Sequence, residues 1–145
     1  MMHADGLPPK VGALLRMAWQ QLQVELYRRL REEGFEDLRE VHRPLLRYPG
    51  IDGVRPSALA VSLGLSRQAI NDLLREIEEL GYARMEPDPS DGRARIIRYT
   101  ERGWDMFRTS SRISEEIGER WAAKIGRAHY EAMVDALRAV TSLDT

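Results

Sequence analysis

The residues best suited to chemistry lie just after Ser66, where a predicted helix leaves a polar face exposed. At about 100° per residue, four side chains share the face opposite the apolar stripe: Gln68, Asn71, Asp72 and Arg75. Glutamine and asparagine amides bond adenine through two hydrogen bonds, arginine bonds guanine in the same way, and amides at a helix start bind phosphate. We therefore predict that this face contacts the bases of DNA. The alternative is an ordinary solvated helix face.

A second group of cations follows in a predicted hairpin. The segment Asp91-Gly92-Arg93-Ala94-Arg95 places Arg93 and Arg95 at the tip, and Arg98 lies further along the strand. A cation at a loop tip suits the narrow, electronegative minor groove of DNA. Arginine on an exposed edge strand also discourages strand-to-strand aggregation. The tip position favours DNA contact for Arg93, whereas both interpretations stay open for Arg98.

Three residues have the spacing of a helix-turn-helix: Ala60, Gly64 and Ile70. Two helices are predicted around them, one from Pro56 to Leu63 and one that Ser66 caps and Gly81 ends. A small residue lets the second helix cross the first, glycine adopts the positive φ of the tight turn, and the branched side chain fills the crevice between the helices. Because an arginine-rich hairpin follows directly, the triple indicates a nucleic-acid-binding unit.

Two helices are predicted ahead of this unit. Apolar residues recur every three or four positions and predict a helix from about Pro9 to Glu33, which ends at Gly34. A second helical pattern runs from Leu38 to Leu46, within which Pro44 predicts a kink or a restart. The run Tyr48-Pro49-Gly50 then imposes a turn.

After Gly81 the hydrophobic period changes from that of a helix to that of a hairpin. The predicted strands are Ala83 to Glu86 and Arg93 to Tyr99, joined by a turn rich in proline and glycine. Thr100 then caps a long helix, which Gly126 interrupts before a last helix. The order of elements predicts a mainly α fold with a small two-stranded β-wing.

Composition restricts the class of protein. The 145-residue chain has 43% hydrophobic and 31% charged residues, which is typical of a soluble globular domain. No apolar run approaches the roughly 20 residues needed to cross a bilayer, and the first ten residues show no secretory signal. The expected location is the cytoplasm, with no membrane partner.

Charge and missing residue types exclude further functions. A net charge of −1 excludes a broadly positive surface that coats nucleic acid, so any basic patch must be local. The absence of cysteine excludes disulfides, thiolate zinc sites, iron–sulfur clusters and thiol redox switches. His3, His42 and His129 lack the spacing of a zinc site, and the motifs of nucleotide-binding loops and hydrolases do not occur. We therefore expect no cofactor, no metal and no enzymatic activity.

The run from Gly64 to Gly103 resembles the winged helix-turn-helix of the multiple-antibiotic-resistance regulator (MarR) family. The wing signature of the family is represented by Asp91, Arg93, Thr100 and Gly103. The resemblance extends to the flanking helices and implies one domain over residues 1–145, with dimerisation helices at about 9–33 and 100–140 and a DNA-binding region at about 36–99. It also implies a homodimer whose terminal helices interlock and which binds a palindromic operator in double-stranded DNA.

The resemblance also implies roles for individual residues. It makes Arg93 the minor-groove arginine and Asp91 its orienting partner. The groove-facing set that it implies consists of Ser66, Arg67, Gln68 and Asn71, and the predicted DNA-binding residues are completed by Arg75 and Arg95. Glutamates at the far end of the same helix would repel DNA, so only its first turns should enter a groove.

Three positions depart from the family pattern. Asp72 and Met85 stand where family members often have arginine, and Tyr99 stands where leucine is usual. These departures predict an atypical DNA affinity or operator sequence.

Many members of the family release DNA when a small aromatic or phenolic molecule binds among helices that here carry Trp19, His42 and Trp104. The resemblance therefore implies an effector pocket at these three residues. Large aromatic residues at helical spacing are more often core or dimer contacts, and that interpretation stays open.

The function expected from these observations is a homodimeric, sequence-specific transcription regulator, a repressor that a small aromatic effector releases from DNA. Two alternatives stay open. A winged helix that binds only other proteins would suit Asp72 and the near-neutral motif. The dimerisation domain of an enzyme is the other alternative, and the chain lacks the βαβ pattern and the glycine-rich loop that a cofactor domain would add.

Overall fold

The computed structural model describes residues 6–47 and 50–142. Its elements, in chain order, are α1 (Val11–Glu32), a 3₁₀ helix (Glu40–Leu46), α2 (Pro56–Leu63), α3 (Arg67–Glu79), β1 (Ala83–Asp88), β2 (Asp91–Tyr99), α4 (Glu101–Ile125) and α5 (Arg127–Thr141). The two strands form one antiparallel sheet. This architecture confirms the predicted fold class, a mainly helical chain with a two-stranded wing. His3 and the turn predicted at Tyr48 and Pro49 lie outside the described residues.

The chain divides into two compact units. The central unit consists of residues 27–110, apart from the two undescribed positions within it. The terminal-helix unit consists of the described residues of 1–26 and 111–145.

The central unit has a well-formed apolar core. The side chains that are almost completely buried in it are Leu30, Leu38, Leu45, Ile51, Ile70, Ile77, Tyr82, Ile97 and Met106. The inward stripe predicted for α3 is confirmed at Ile70, Leu73, Leu74 and Ile77, which are buried, whereas Leu80, also predicted, is half-buried and follows the end of the helix. Burial of each such side chain contributes about 1.5–3 kcal/mol, so this stripe is what holds α3 in place.

The turn between α2 and α3 has the predicted helix-turn-helix geometry. Gly64 has φ +65° and ends α2, and the N–H of Leu65 donates to the Ala60 carbonyl at 3.0 Å. The Ser66 hydroxyl oxygen accepts from the N–H of Ala69 at 3.1 Å, which confirms Ser66 as the N-cap of α3. The backbone bonds of this turn orient the exposed face of α3.

The wing has longer strands and a tighter turn than the sequence predicted. Pairing continues past Glu86 to Asp88, whose partner is Asp91, with a register shift at Pro87 and Asp88. The Asp88 carboxylate accepts from both the N–H and the hydroxyl of Ser90 at 2.8 Å, so a local hydrogen bond closes the turn where composition alone suggested a longer loop.

Side chains fix the base of the wing to the rest of the central unit. The Tyr82 hydroxyl donates to the Asp37 carboxylate, and the Arg102 guanidinium donates to the same carboxylate at 3.0 Å and to the Leu80 carbonyl at 2.5 Å. The same guanidinium lies 4.4 Å from the centre of the Tyr82 ring. These contacts join the end of α3, the start of β1 and the start of α4.

The second predicted helix is a short 3₁₀ helix that starts at Glu40, two residues later than the helical pattern suggested. Pro44 lies inside it. In an α-helix the proline ring would meet the carbonyl of the residue four positions earlier, and the proline has no N–H for a helical bond. The short 3₁₀ segment avoids an extended α-helical run at this proline.

The terminal-helix unit packs its helices through a few buried residues and a small-residue contact. Ile113, Ile117 and Ala122 of α4 are buried, and the Tyr130 hydroxyl approaches Gly118 so closely that a β-carbon there would overlap it. No residue of α5 is fully buried. Large apolar side chains are instead exposed along this unit: Val11, Leu14, Leu15, Met17, Trp19, Val24, Ile125, Leu137 and Val140.

Two kinds of feature are absent from residues 6–47 and 50–142. None of their helices combines the length and apolar character required of a membrane span. No three of their histidine, aspartate and glutamate side chains are grouped as metal ligands would be.

Candidate nucleic-acid interface

The polar face predicted on α3 is exposed. Gln68, Asn71, Asp72 and Arg75 all lie on it, at the helical spacing of three and four residues. Asp72 connects two of the others, because its Oδ1 accepts from Gln68 Nε2 at 3.0 Å and lies 3.4 Å from an Arg75 nitrogen. Among the described residues Asn71 has no such partner, so its exposed amide can bind a ligand.

A cleft of about 380 Å³ lies beside this face, between the wing and the helix-turn-helix. Its polar lining comes from four of the predicted residues, Arg67, Asn71, Arg93 and Arg95, and from two that sequence reasoning missed, Arg55 and Ser57. Four guanidinium groups around one cleft create a local positive field in a chain whose net charge is −1. The anion that this field would attract is a phosphate group, to which arginine can donate two parallel hydrogen bonds.

The wing holds its two predicted arginines in different ways. Asp91 Oδ1 accepts from the backbone N–H of Arg93 at 3.0 Å, so the predicted orienting contact acts on the backbone and leaves the Arg93 guanidinium exposed. The Arg95 guanidinium donates across the hairpin to the Met85 carbonyl at 3.2 Å. Arg98 lies further back, 3.2 Å from the Asp52 carboxylate, where it serves the base of the wing.

An ion pair that sequence analysis did not identify connects the wing turn to the helix-turn-helix. Arg55, just before α2, donates to Asp88 at 2.7 Å. The Ser90 N–H and hydroxyl, together with the Arg55 guanidinium, lower the pKa of Asp88 to about 2. The signal in the sequence that could have indicated Arg55 was its position directly before Pro56, at the start of a predicted helix. Its partner, 33 positions away, follows only from the fold.

The acidic end of α3 has partners within the central unit. Glu76 pairs with Arg39, and the hydrogen bond from that guanidinium holds the pKa of Glu76 below its ordinary value. Glu78 accepts from the N–H of Met85 at 3.2 Å. These carboxylates stabilise the junctions of α3 with its neighbours, and their negative charge stays at the end of the helix away from Ser66.

The three candidate effector residues have different surroundings. His42 is completely buried; its Nδ1 accepts from the Arg39 N–H at 2.9 Å, and Nε2 lies 3.2 Å from a Glu76 oxygen. An acceptor Nδ1 places the proton of the neutral ring on Nε2. Trp104 is 38% exposed and packs edge-on against Tyr99, with ring centres 5.0 Å apart. Trp19 belongs to the terminal-helix unit and is 55% exposed.

Two of the three positions that depart from the family pattern serve the packing of the central unit. Tyr99 is buried, its hydroxyl donates to the Leu45 carbonyl at 2.8 Å, and burial raises the pKa of this hydroxyl to about 12. Met85 is half-buried and pairs with Ile97 across the wing. Asp72 differs from both because it lies on the exposed face of α3.

A family model described as the MarR family matches residues 45–94. This range contains the helix-turn-helix, three of the four cleft arginines and most of the wing. Over this segment the chain is similar to the MarR family. No curated protein sequence matches the chain.

Solved MarR-family and related structures match the chain over most of its length. A MarR-family transcriptional regulator from Rhodococcus sp. RHA1 is 25% identical, with 90% of this chain and 92% of that chain covered and a TM-score of 0.62. CouR from Rhodococcus jostii RHA1, bound to p-coumaroyl-CoA, is 24% identical over 94% of both chains, with a TM-score of 0.66. A MepR mutant of S. aureus, bound to an oligodeoxyribonucleotide, is 20% identical over 93% of this chain and 98% of that one, with a TM-score of 0.60.

Proposed function

We propose that this protein is a homodimeric, sequence-specific DNA-binding regulator of transcription, and that it acts as a repressor. The observation that carries the proposal is the cleft of four arginines beside the exposed polar face of α3. Base-reading amides and phosphate-binding cations thereby occupy adjoining surfaces, as DNA recognition requires.

The proposed division of labour follows from the side-chain chemistry. Gln68 and Asn71 read base edges in the major groove, since each has an amide that can donate and accept. Arg93 contacts the minor groove, and Arg67 and Arg55 contact phosphates from the cleft between them. The MepR mutant with a similar fold was solved with an oligodeoxyribonucleotide, which supports this choice of ligand.

The exposed apolar residues of the terminal-helix unit support the homodimer. Nine large apolar side chains are exposed on α1, α4 and α5. A monomeric soluble protein rarely exposes so many apolar side chains on one unit. A second copy would cover them, and two winged helices would then reach successive major grooves about 34 Å apart on a palindrome. In this proposal residues 1–145 act as a single functional domain, with dimerisation helices at about 9–33 and 100–140 and DNA binding at about 36–99.

The proposal includes release by a small aromatic effector. CouR was solved with p-coumaroyl-CoA, an aromatic thioester, which makes a ligand of this class the first to test. Trp104, in its half-exposed aromatic cluster, and Trp19 are the residues that we propose for ligand contact. His42 can contact a ligand only after the 3₁₀ helix moves, because its ring is fully buried.

The decisive test measures DNA affinity as a function of salt concentration for three variants. Arg93→Ala should weaken binding to all operator variants by similar factors, and it should lower the salt slope by about one unit per subunit, because each subunit then neutralises one phosphate fewer. Gln68→Ala and Asn71→Ala should each cost about 1–3 kcal/mol at one base pair and leave the salt slope nearly unchanged. The operator is first obtained by selecting bound fragments from the source genome.

Arg108→Ala is the matched control for Arg93→Ala, because Arg108 is an equally charged, exposed residue of α4 that pairs with Asp105 outside the cleft. The control should bind like the wild type. If the wild-type protein binds no DNA at low salt, the protein-interaction module becomes the better explanation of the fold.

A further inference from the structure

The carboxylate of Asp72 lies on the exposed face of α3. Both contacts of this side chain use the same oxygen: Oδ1 accepts from Gln68 and faces Arg75. The other oxygen, Oδ2, has no hydrogen bond within the described residues of the chain. An exposed acceptor therefore lies beside the amide of Gln68, one of the two amides that we propose for reading bases.

An ionised carboxylate can only accept hydrogen bonds. In the major groove the only donors on base edges are the amino groups of cytosine and adenine, whereas guanine and thymine present acceptors beside this position. Adenine also presents the acceptor N7 next to its amino group, which would repel the carboxylate. Cytosine is therefore the base that fits a lone carboxylate oxygen.

We propose that Asp72 specifies a cytosine at one position of each operator half-site, through a hydrogen bond from the cytosine amino group to Oδ2. The inference rests on the proposed DNA-binding function and adds a residue that selects sequence by repulsion as well as by attraction. The hydrogen bond from Gln68 to Oδ1 holds the Asp72 carboxylate in place on the helix. Part of the conformational entropy of this side chain is therefore already lost before DNA binds.

The same hydrogen bond constrains Gln68. A carboxylate cannot donate, so the Gln68 amide must turn its nitrogen toward Asp72, which leaves one N–H and the carbonyl oxygen for a base. This remaining pair is what adenine requires. The two side chains together therefore predict an adenine and a cytosine close to each other in the half-site.

The test is selection of binding sites from a randomised DNA duplex by the full-length wild type and by Asp72→Asn and Asp72→Ala, followed by affinity measurements on single-base-pair variants. The wild type should prefer cytosine at one position by about tenfold. Asp72→Asn should change this preference to adenine, because asparagine bonds adenine with two hydrogen bonds. Asp72→Ala should show no preference there, and both variants should bind non-cognate duplex more tightly because each removes a negative charge.

Asp105→Asn is the control, because Asp105 pairs with an arginine three positions later on α4, as Asp72 does on α3. The control should select the wild-type sequence. If Asp72→Ala keeps the wild-type cytosine preference, the inference is wrong while DNA binding stands. If the wild type itself enriches no sequence, the proposed function fails and the inference fails with it. Circular dichroism of each variant confirms that it is folded.

Discussion

The central unit and the terminal-helix unit of this chain differ in how far each completes its own packing. In the central unit the wing base, α3 and the start of α4 are connected by side-chain hydrogen bonds such as those of Asp37 and Thr100. In the terminal-helix unit, α5 buries no residue fully, and apolar side chains such as Val140, 78% exposed, contact water. The first unit has its own buried core, whereas the second leaves exposed the apolar side chains that the proposed homodimer would cover.

This difference indicates where changes should affect folding and where they should affect assembly. A change in the central unit disturbs contacts that one chain makes with itself, so it should lower the free energy of unfolding. A change on the exposed apolar residues of the terminal-helix unit should alter the oligomeric state first.

Gly103→Ala should destabilise the protein by about 3 kcal/mol, because a β-carbon at this position would overlap the Tyr82 carbonyl oxygen. Chemical denaturation measures the change. Gly12→Ala is the control: Gly12 also lies in the first turn of a helix, but nothing lies near its missing β-carbon. The control should be as stable as the wild type or slightly more stable. Equal effects of the two changes would contradict the packing described for the wing base.

Leu14→Glu and Val140→Glu should each weaken self-association by about 2 kcal/mol, or roughly 30-fold, because a charge would be buried against a second copy. Analytical ultracentrifugation at micromolar concentration measures the effect. Val61→Glu is the control, since Val61 is equally apolar and 85% exposed but lies on α2 in the central unit. A folded wild-type monomer at these concentrations would end the homodimer proposal.

Asp37→Ala should lower the free energy of unfolding by about 1–2 kcal/mol, because it removes the acceptor of the hydrogen bonds from Tyr82 and Arg102. Burial alone would raise the pKa of Asp37, but these two donors outweigh it and lower the pKa below its ordinary value. The destabilisation should be absent in Asp135→Ala, whose carboxylate is exposed and pairs with Arg138 on its own helix. Urea denaturation of both variants compares them directly.

Asp88→Asn should give the smallest effect and a characteristic pH dependence. The folded-state pKa of Asp88 is about 2, below the ordinary value near 4, so its contribution is fully present above pH 4 and disappears as the pH falls toward 2. The difference in unfolding free energy between wild type and variant should therefore shrink over this range. A difference that stays constant from pH 6 to pH 2 would show that the ionised carboxylate of Asp88, with its contacts to Ser90 and Arg55, does not stabilise the wing.

Much of the fold could be predicted from short stretches of sequence. Gly64 and Ser66 mark the helix-turn-helix, and Thr100 and Gly126 mark the ends of long helices, because a cap or a positive φ depends on residues within one turn. The predicted extent of the wing strands was wrong. The composition around Pro89 suggested a long loop, while cross-strand pairing carried the strands to Asp88 and Asp91.

The residue types of the candidate site could be predicted from the sequence, but several of its contacts could not. Helical spacing was sufficient to place Gln68 and Asn71 on one exposed face. The same spacing could have suggested the bond from Gln68 to Asp72, which lies four positions later on that face. The expected repulsion by glutamates at the end of α3 took no account of the partners that Glu76 and Glu78 find in the fold.

The sequence by itself determined the helix ends, the apolar stripe of α3 and the polar face opposite it, because these depend on periodicity and on interactions within a few residues. Only the tertiary structure decided that Arg55 would join Arg67 and Arg93 around one cleft, and that Asp88 would hold the wing turn against the helix-turn-helix. The ion pair of Arg55 with Asp88 joins residues 33 positions apart. Its geometry is set by how the buried core positions the wing against α2 and α3, and no local pattern records it.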